Sequence, residues 1–233
     1  MGRVGVLMLV VATAAVAAVA ADAAQSPKAL RASILAAAKA QHSVHYKTGE
    51  VVGNAVLTIT ADVAATEGTQ HVNFKAGKQT GHITILVLDQ TAYVEGDTNG
   101  LELLQGLTTS QATKYNGQWI SIPKGDKSYN RTADAVTLGS FLHEITPRGR
   151  LSVSRAKLHG VRVIGVRAIS GTGKKKKVQV LVARAHGKPL PLEEDELAPG
   201  RGYISHTPLS KWNESVQVQA PASSTPIATV RAG

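Results

Sequence analysis

The chain has 233 residues, no cysteine and a formal net charge of +10 at pH 7. Without cysteine it cannot form disulfides, so a hydrophobic core must stabilise it, and its length is sufficient for one large core. With only two Trp and two Phe, it lacks the aromatic platform on which single-stranded nucleic acids stack. The positive charge favours other anionic partners, such as polymers or lipid head groups.

The first 24 residues have the pattern of a secretory signal peptide. Arg3 supplies a positive charge, an apolar run follows from Val4 to Val19, and residues 21–23 form an Ala-x-Ala cleavage pattern. The run is short for a membrane span, which needs about 20 apolar residues; an uncleaved N-terminal anchor is the alternative. The sequence therefore predicts an exported protein, secreted or in the extracytoplasmic cell envelope. Without a cysteine it is not predicted to be lipid-anchored.

The first half of the mature chain combines one helix with strands of alternating polarity. Residues 28–41 are rich in Ala, Leu and Ile on one side and predict an amphipathic helix. Residues 56–63 alternate apolar and polar side chains, which is typical of a half-buried antiparallel strand. Residues 81–88 and 91–95, joined by Asp89-Gln90, predict a β-hairpin. Further strands are predicted at residues 43–46, 71–74, 119–122, 161–169, 178–185, 200–206 and 215–218.

Short helices are predicted where apolar residues recur at helical spacing. Leucines three residues apart predict one helix at 101–107, and an apolar side predicts another at 137–145. Residues 124–131 are polar and predict a loop. Together these elements predict the α+β class with one large antiparallel sheet in a single domain, residues 25–219. The tail, residues 220–233, is rich in Pro, Ala, Ser and Thr and is predicted to be disordered.

The lysine-rich segment after residue 170 is similar to a phosphate-binding loop only superficially. That motif requires a glycine where Ala168 stands and a Ser or Thr where Lys175 stands. Predicted strands flank the segment on both sides, and no helix follows it. The pattern therefore predicts a hairpin turn on which Lys174, Lys175, Lys176 and Lys177 are solvated.

No constellation of residues indicates catalysis, a cofactor or a metal. His143-Glu144 has no second histidine four residues on, and the eight histidines are scattered along the chain. No Gly-x-Ser-x-Gly motif provides a nucleophile. Glu193–Glu196 is interpreted as a solvated edge that faces the lysine run rather than as a catalytic pair. The sequence predicts a protein that is not an enzyme.

The apolar helix at 101–107 lies next in sequence to strands whose two faces are both apolar. Two interpretations remain open: an ordinary packed core, or a sheet and helices far enough apart to leave an apolar cavity. Under the second interpretation the predicted lining residues are Ile85, Val87, Tyr93, Leu104, Leu107, Trp119 and Phe141.

Five segments, in order and spacing, are shared with one known family. They are Thr91-Ala92-Tyr93-Val94-Glu95, Gly117-Gln118-Trp119-Ile120-Ser121-Ile122-Pro123, Leu190-Pro191-Leu192, Ser210–Val216 and Ala220-Pro221. The chain thereby resembles the LppX–LprG family of actinobacterial envelope lipoproteins, within the LolA-like carrier superfamily. The resemblance implies a curved antiparallel half-barrel wrapped over helices, with an apolar cavity for the acyl chains of lipids, lipoproteins or lipoglycans. The family's lipidated cysteine is missing, which favours a soluble carrier.

The predicted function is lipid binding or transfer outside the cytoplasmic membrane, without catalysis. Each methylene of an acyl chain that leaves water contributes about 0.8 kcal/mol, so few polar contacts are needed. The predicted partner is a lipid or lipidated ligand, with the lysine run at 174–177 contacting anionic head groups or a membrane surface. The alternative is an envelope sensor or protein-interaction domain on the same fold, which would bind an envelope protein.

Overall fold

The structure is a computed structural model that describes residues 25–173, 176–198 and 202–232. The predicted signal peptide, as well as Lys174 and Lys175, lies outside the described residues. The helices are α1 (Pro27–Lys39), α2 (Thr98–Gln105), α3 (Thr109–Lys114), α4 (Tyr129–Ala133), α5 (Leu138–Glu144) and α6 (Ile227–Ala232). The strands are β1 (Ser43–Val52), β2 (Ala55–Ala64), β3 (Gly68–Ala76), β4 (Gln79–Leu88), β5 (Thr91–Gly96), β6 (Ile120–Pro123), β7 (Arg150–Leu158), β8 (Val161–Ser170), β9 (Lys177–Arg184), β10 (Pro191–Ala198), β11 (Gly202–Ser210) and β12 (Thr225–Pro226).

These twelve strands form one sheet in the order β12-β6-β5-β4-β3-β2-β1-β11-β10-β9-β8-β7. Neighbouring strands are antiparallel, except that β12 pairs with β6 in parallel. The outermost strands, β12 and β7, are not paired with each other, so the sheet is open and does not close into a barrel. The predicted α+β class with one large, mostly antiparallel sheet is confirmed.

One face of the sheet, here called the inner face, is buried beneath the helices. A continuous row of buried side chains crosses six adjacent strands on this face, because paired residues of neighbouring strands project to the same side. The row consists of Tyr46, Ala61, Gln70, Ile85, Val94 and Ile120. Its only polar member besides Tyr46 is Gln70, whose amide donates to the Tyr46 hydroxyl at 2.8 Å.

The inner face supports two hydrophobic cores. The first core lies over β4, β5 and β6 and is covered by α2, α3, α4 and α6; it includes Ile85, Val94 and Leu101. The second core lies between α1, α5 and the strands from β2 through β1 to β8, and it includes Ile34 and Phe141. Ile59 packs against both cores, so they meet on β2.

Local sequence signals determine where α1 and α2 begin. The Ala29 amide donates to the Ser26 hydroxyl at 3.2 Å, and Pro27 occupies the first turn, so α1 begins where the cap predicts. In α2 the Gly100 amide donates to the Asp97 carboxylate at 2.6 Å. A Cβ on Gly100 would lie 2.1 Å from the carbonyl oxygen of His82, so only glycine lets α2 approach β4 this closely.

Several element predictions were wrong. The segment at 124–131, predicted as a loop, contains the start of α4, and α3 and β7 were not predicted at all. Residues 215–218 form no strand. Glu193–Glu196 lies within β10, between β9 and β11, rather than at a solvated edge. The helices α3 and α4 are only six and five residues long, which is too short for a hydrophobic period to be recognised.

The tail also differs from the predicted disorder. Residues 225–232 form β12 and α6, and Ile227 and Val230 are buried in the first core. The guanidinium of Arg231 donates to both carboxylate oxygens of Asp126, at 2.6 and 3.1 Å. These hydrogen bonds hold the pKa of Asp126 well below its usual range. The pairing of β12 with β6, the two buried apolar side chains and this ion pair together order a segment of otherwise polar composition.

We expect Ile227→Ala to lower the free energy of unfolding by about 2 kcal/mol, the low end for burial of an isoleucine, because α6 lies at the end of the sheet. Thr229→Ala, an exposed position on the same helix, should change it by less than about 0.5 kcal/mol. Urea unfolding of both variants measures the difference. Equal stability of the two variants would mean that the tail does not contribute to the core.

Candidate functional site

A cavity of about 770 Å³, here called the α1 cavity, lies at the end of the second core. It lies between the first half of α1 and the ends of β7, β8 and β9, next to the β9–β10 connection. Its volume is within the range of small-molecule sites, about 300–1,000 Å³. The lining residues include Leu30, Ser33, Arg155, Lys157, Arg162, Val163, Ile164, Arg184, His186 and Pro189.

The register of β7 and β8 makes the lining apolar at one end and cationic at the other. Arg155 is paired with Ile164, and Lys157 is paired with Arg162. Because side chains two residues apart share a face, Arg155, Lys157 and Arg162 extend the inner face beyond Ile164, which packs against the second core. Moving along β7 toward the cavity, the inner face therefore changes from apolar Val153 to two cations.

Four Arg or Lys side chains line the α1 cavity, and its lining includes no Asp or Glu. We call the four residues Arg155, Lys157, Arg162 and Arg184 the cationic rim. All four are exposed. Among the described residues, none of them has a carboxylate within 4.0 Å. The site thus combines a few apolar side chains of the second core with exposed positive charges that have no described carboxylate partner.

Four of the seven predicted lining residues lie in the first core rather than at the α1 cavity. Ile85, Val87 and Leu107 are buried there, and Leu104 packs against it while remaining partly exposed. Leu107 also lines a smaller cavity of about 360 Å³, together with Val94, Ile120, Gly106 and Ile227 and the cations Lys127, Arg131 and Arg231. The sequence therefore identified apolar positions of the inner face, but the structure fills most of the space around them.

The other three predicted lining residues lie apart from these. Phe141 belongs to the second core and stacks on Tyr46, with ring centroids 4.1 Å apart and planes 5° apart. Tyr93 is paired with Leu86 and lies on the face of β5 opposite the buried Val94. Trp119 is half-buried just before β6. The seven residues consequently do not converge on one cavity.

A buried carboxylic acid lies farther along the inner face, on β10. Glu194 is 5 % exposed, and its register partner on β11 is Thr207, whose hydroxyl lies 3.0 Å from that of Thr48. Desolvation raises the pKa of Glu194 to about 7; the Gln179 hydrogen bond lowers this pKa, and the charges of nearby carboxylates raise it. Burial likewise raises the pKa of Glu50.

The predicted contact between the acidic cluster and the lysine run is present at one pair. Lys177 Nζ lies 2.6 Å from Glu196 Oε1, on adjacent strands. Asp195 projects to the other face, where its carboxylate lies 2.6 Å from His206 Nδ1. Within the described residues, no three His, Asp or Glu side chains are grouped closely enough to bind a metal ion. None of the described helices has the length and hydropathy of a membrane span.

The sequence analysis missed the cationic rim because it did not assign β7. The signal was present, since Leu151, Val153, Arg155 and Lys157 recur at spacing two and indicate one face of a strand. Along that face the residues change from apolar to basic. A search restricted to apolar lining residues cannot find such a feature.

No protein-family model matches the chain, and no curated protein matches it in sequence. Solved structures do. LprF from Mycobacterium bovis matches with a TM-score of 0.53 and 15 % identity, covering 84 % of this chain and 97 % of LprF. A conserved protein from Thermus thermophilus matches with a TM-score of 0.44 and 9 % identity, over 87 % of this chain and 98 % of its own. The chain therefore shares the fold of LprF.

Proposed function

We propose that the chain is an exported lipid-binding protein that accommodates the acyl part of an amphiphile in the α1 cavity and transfers it without chemical change. The observation that supports this most directly is the α1 cavity itself, a partly open space whose mixed lining includes the apolar side chains of Leu30, Ile164 and Pro189. The LprF-like fold and the sequence resemblance to the LppX–LprG family favour the same class of ligand.

The physical basis of the proposed affinity is desolvation. Leu30, Ile164 and Pro189 present apolar surface to the cavity, and each methylene buried against them contributes about 0.8 kcal/mol. Because this interaction has no directional requirement, it tolerates acyl chains of different lengths. Such a site suits a carrier, which must bind and release acyl chains without changing them.

Four of the seven residues predicted from sequence, Ile85, Val87, Leu104 and Leu107, define a second proposed position for an acyl chain, within the first core. The smaller cavity beside Leu107 is the space that supports it. Occupation of this position requires α2 and α6 to separate from β5 and β6, because Ile85, Val87 and Leu107 are now buried against their neighbours. The α1 cavity needs no such rearrangement, and it is therefore the preferred position.

A pair of matched substitutions distinguishes the two positions. We expect Ile164→Trp to fill the α1 cavity and weaken binding of a fluorescently labelled fatty acid at least tenfold, or about 1.4 kcal/mol. Leu104→Trp introduces the same bulk at another half-buried position, and it should change the affinity by less than about twofold. Fluorescence anisotropy measures both, with thermal unfolding as the control for folding. The opposite ranking would place the acyl chain in the first core.

Native mass spectrometry tests the proposed function as a whole. Protein purified from the periplasm or culture medium of a bacterial host should carry bound lipid, released as the collision energy rises. Protein without bound lipid, which also fails to bind the labelled fatty acid, would overturn the proposal.

One surface feature favours the alternative of a protein-interaction domain. The tip of the β1–β2 hairpin exposes three valines: Val51, Val52 and Val56 are 47 %, 52 % and 52 % exposed. Exposed apolar groups clustered at one point are typical of contact sites. A pull-down from envelope extract that recovers a stoichiometric protein with wild type, but not with the three valines changed to serine, and that recovers no lipid, would favour this alternative.

A further inference from the structure

The mouth of the α1 cavity concentrates positive charge at a cost to the fold. Lys157 and Arg162 are directly paired across β7 and β8, and like charges that face each other across two strands destabilise a sheet. Arg155 lies two residues from Lys157 on the same face, so three cations are adjacent on two strands. Arg184, at the end of β9, also lines the cavity, but it pairs with Val163 and so projects from the face opposite these three.

No described carboxylate relieves this repulsion. The ion pairs of the described residues involve other groups. The two whose Lys or Arg lies nearest to the rim in sequence, Lys177 with Glu196 and Lys211 with Glu214, include no rim residue. Other exposed basic side chains of the sheet, such as Lys47 and Lys75, also have no described carboxylate within 4.0 Å. The cationic rim is distinguished by the adjacency of its like charges at one cavity.

The order of apolar and charged groups along the cavity gives a ligand one orientation. An acyl chain is stabilised at the end formed by Leu30 and Ile164, which belong to or pack against the second core. An anionic group attached to it would then lie at the mouth, beside Arg155 and Arg162. Guanidinium groups bind phosphate through paired N–H donors, which makes Arg better suited than Lys to this position.

We propose that the ligand of the α1 cavity is an anionic amphiphile whose phosphate-bearing head group is bound by the cationic rim. This inference rests on the proposed lipid-binding function and specifies its substrate class. The rim supplies the specificity, whereas the apolar end supplies affinity that is common to all acyl chains. The predicted lysine run at 174–177 is not required for this selection.

The experiment compares two ligands that differ only in the head group: phosphatidic acid and diacylglycerol with the same fluorescently labelled acyl chain. We expect the full-length mature protein to bind the phosphatidic acid at least tenfold more tightly. The double variant Arg155→Gln, Arg162→Gln should lose most of that preference while its affinity for diacylglycerol stays unchanged. The control variant Lys47→Gln, Lys75→Gln removes the same charge from two exposed positions on other strands and should keep the preference.

The outcomes that contradict these expectations distinguish failure of the head-group inference from failure of the proposed function. Equal binding of both lipids by wild type, or an unchanged preference in the Arg155→Gln, Arg162→Gln variant, would overturn the head-group inference and leave the proposed lipid binding intact. Absence of binding to both lipids would overturn the proposed function as well. Competition by inorganic phosphate as effective as that by unlabelled phosphatidic acid would show that the rim binds free phosphate, and it would overturn the assignment of an amphiphile.

Discussion

Phe141→Ala should lower the free energy of unfolding by about 3–5 kcal/mol, the range for truncating a buried phenylalanine. Phe141 is 2 % exposed, and its ring stacks on Tyr46 with centroids 4.1 Å apart. The Tyr46 hydroxyl in turn accepts from Gln70 and donates to the Ala135 carbonyl, both at 2.8 Å. Removal of Phe141 therefore leaves a cavity and also loosens the support of this buried hydrogen-bonded tyrosine.

Urea unfolding of ligand-free protein measures the Phe141→Ala effect. Leu103→Ala is the matched control, because Leu103 is apolar, lies on a short helix and is 54 % exposed; it should change stability by less than about 0.5 kcal/mol. The sequence prediction assigned Phe141 to a ligand cavity instead. Weak destabilisation by Phe141→Ala, combined with a large loss of acyl-chain binding, would favour that assignment over a place in the second core.

The predicted elements that agree with the structure are those whose periodicity and caps point to the same element. In β2 the alternation of apolar and polar residues matches a strand with one face inside. In α1 the cap at Ser26 and the apolar side at Leu30 and Ile34 indicate the same helix. Where local and long-range requirements coincide, a single sequence is sufficient to predict the element.

The elements that were missed depend on partners distant in sequence. A run of four acidic residues disfavours a central strand, yet β10 lies between β9 and β11, with Lys177 and His206 near its carboxylates. The tail segment at 225–232 gains order only because β6 offers an edge and the first core offers space for Ile227. Tertiary contacts that override local preference cannot be inferred from local patterns.

The candidate site was only partly predictable for a related reason. Composition and periodicity identify which residues are apolar, and they correctly placed Ile85 and Val87 on the inner face. They do not indicate where packing is incomplete, because a filled core and a cavity lining use the same residue types. The α1 cavity arises where Arg155 and Lys157 replace apolar residues on the inner face of β7, so that the second core cannot extend to the end of the strand.

Glu194→Gln should stabilise the protein at neutral to alkaline pH by up to about 3 kcal/mol and leave it unchanged in acid. The pKa of Glu194 is raised from 4.5 to about 7, mainly by burial; the Gln179 hydrogen bond lowers it, and the charges of the nearby carboxylates raise it. An unfolded chain therefore releases this proton at lower pH than the folded one. Between about pH 4.5 and 7, unfolding releases a proton, so this group lowers stability as the pH rises.

The difference in unfolding free energy between wild type and Glu194→Gln, followed as a function of pH, isolates this one group from all others that titrate. It should be near zero below about pH 4.5, grow with pH and level off above about pH 7. Glu196→Gln is the control on the same strand, since its carboxylate is paired with Lys177 at 2.6 Å and its loss should cost at most about 1 kcal/mol. A difference for Glu194→Gln that does not vary with pH would mean that water reaches the carboxylate and that Glu194 is not buried on the inner face of β10.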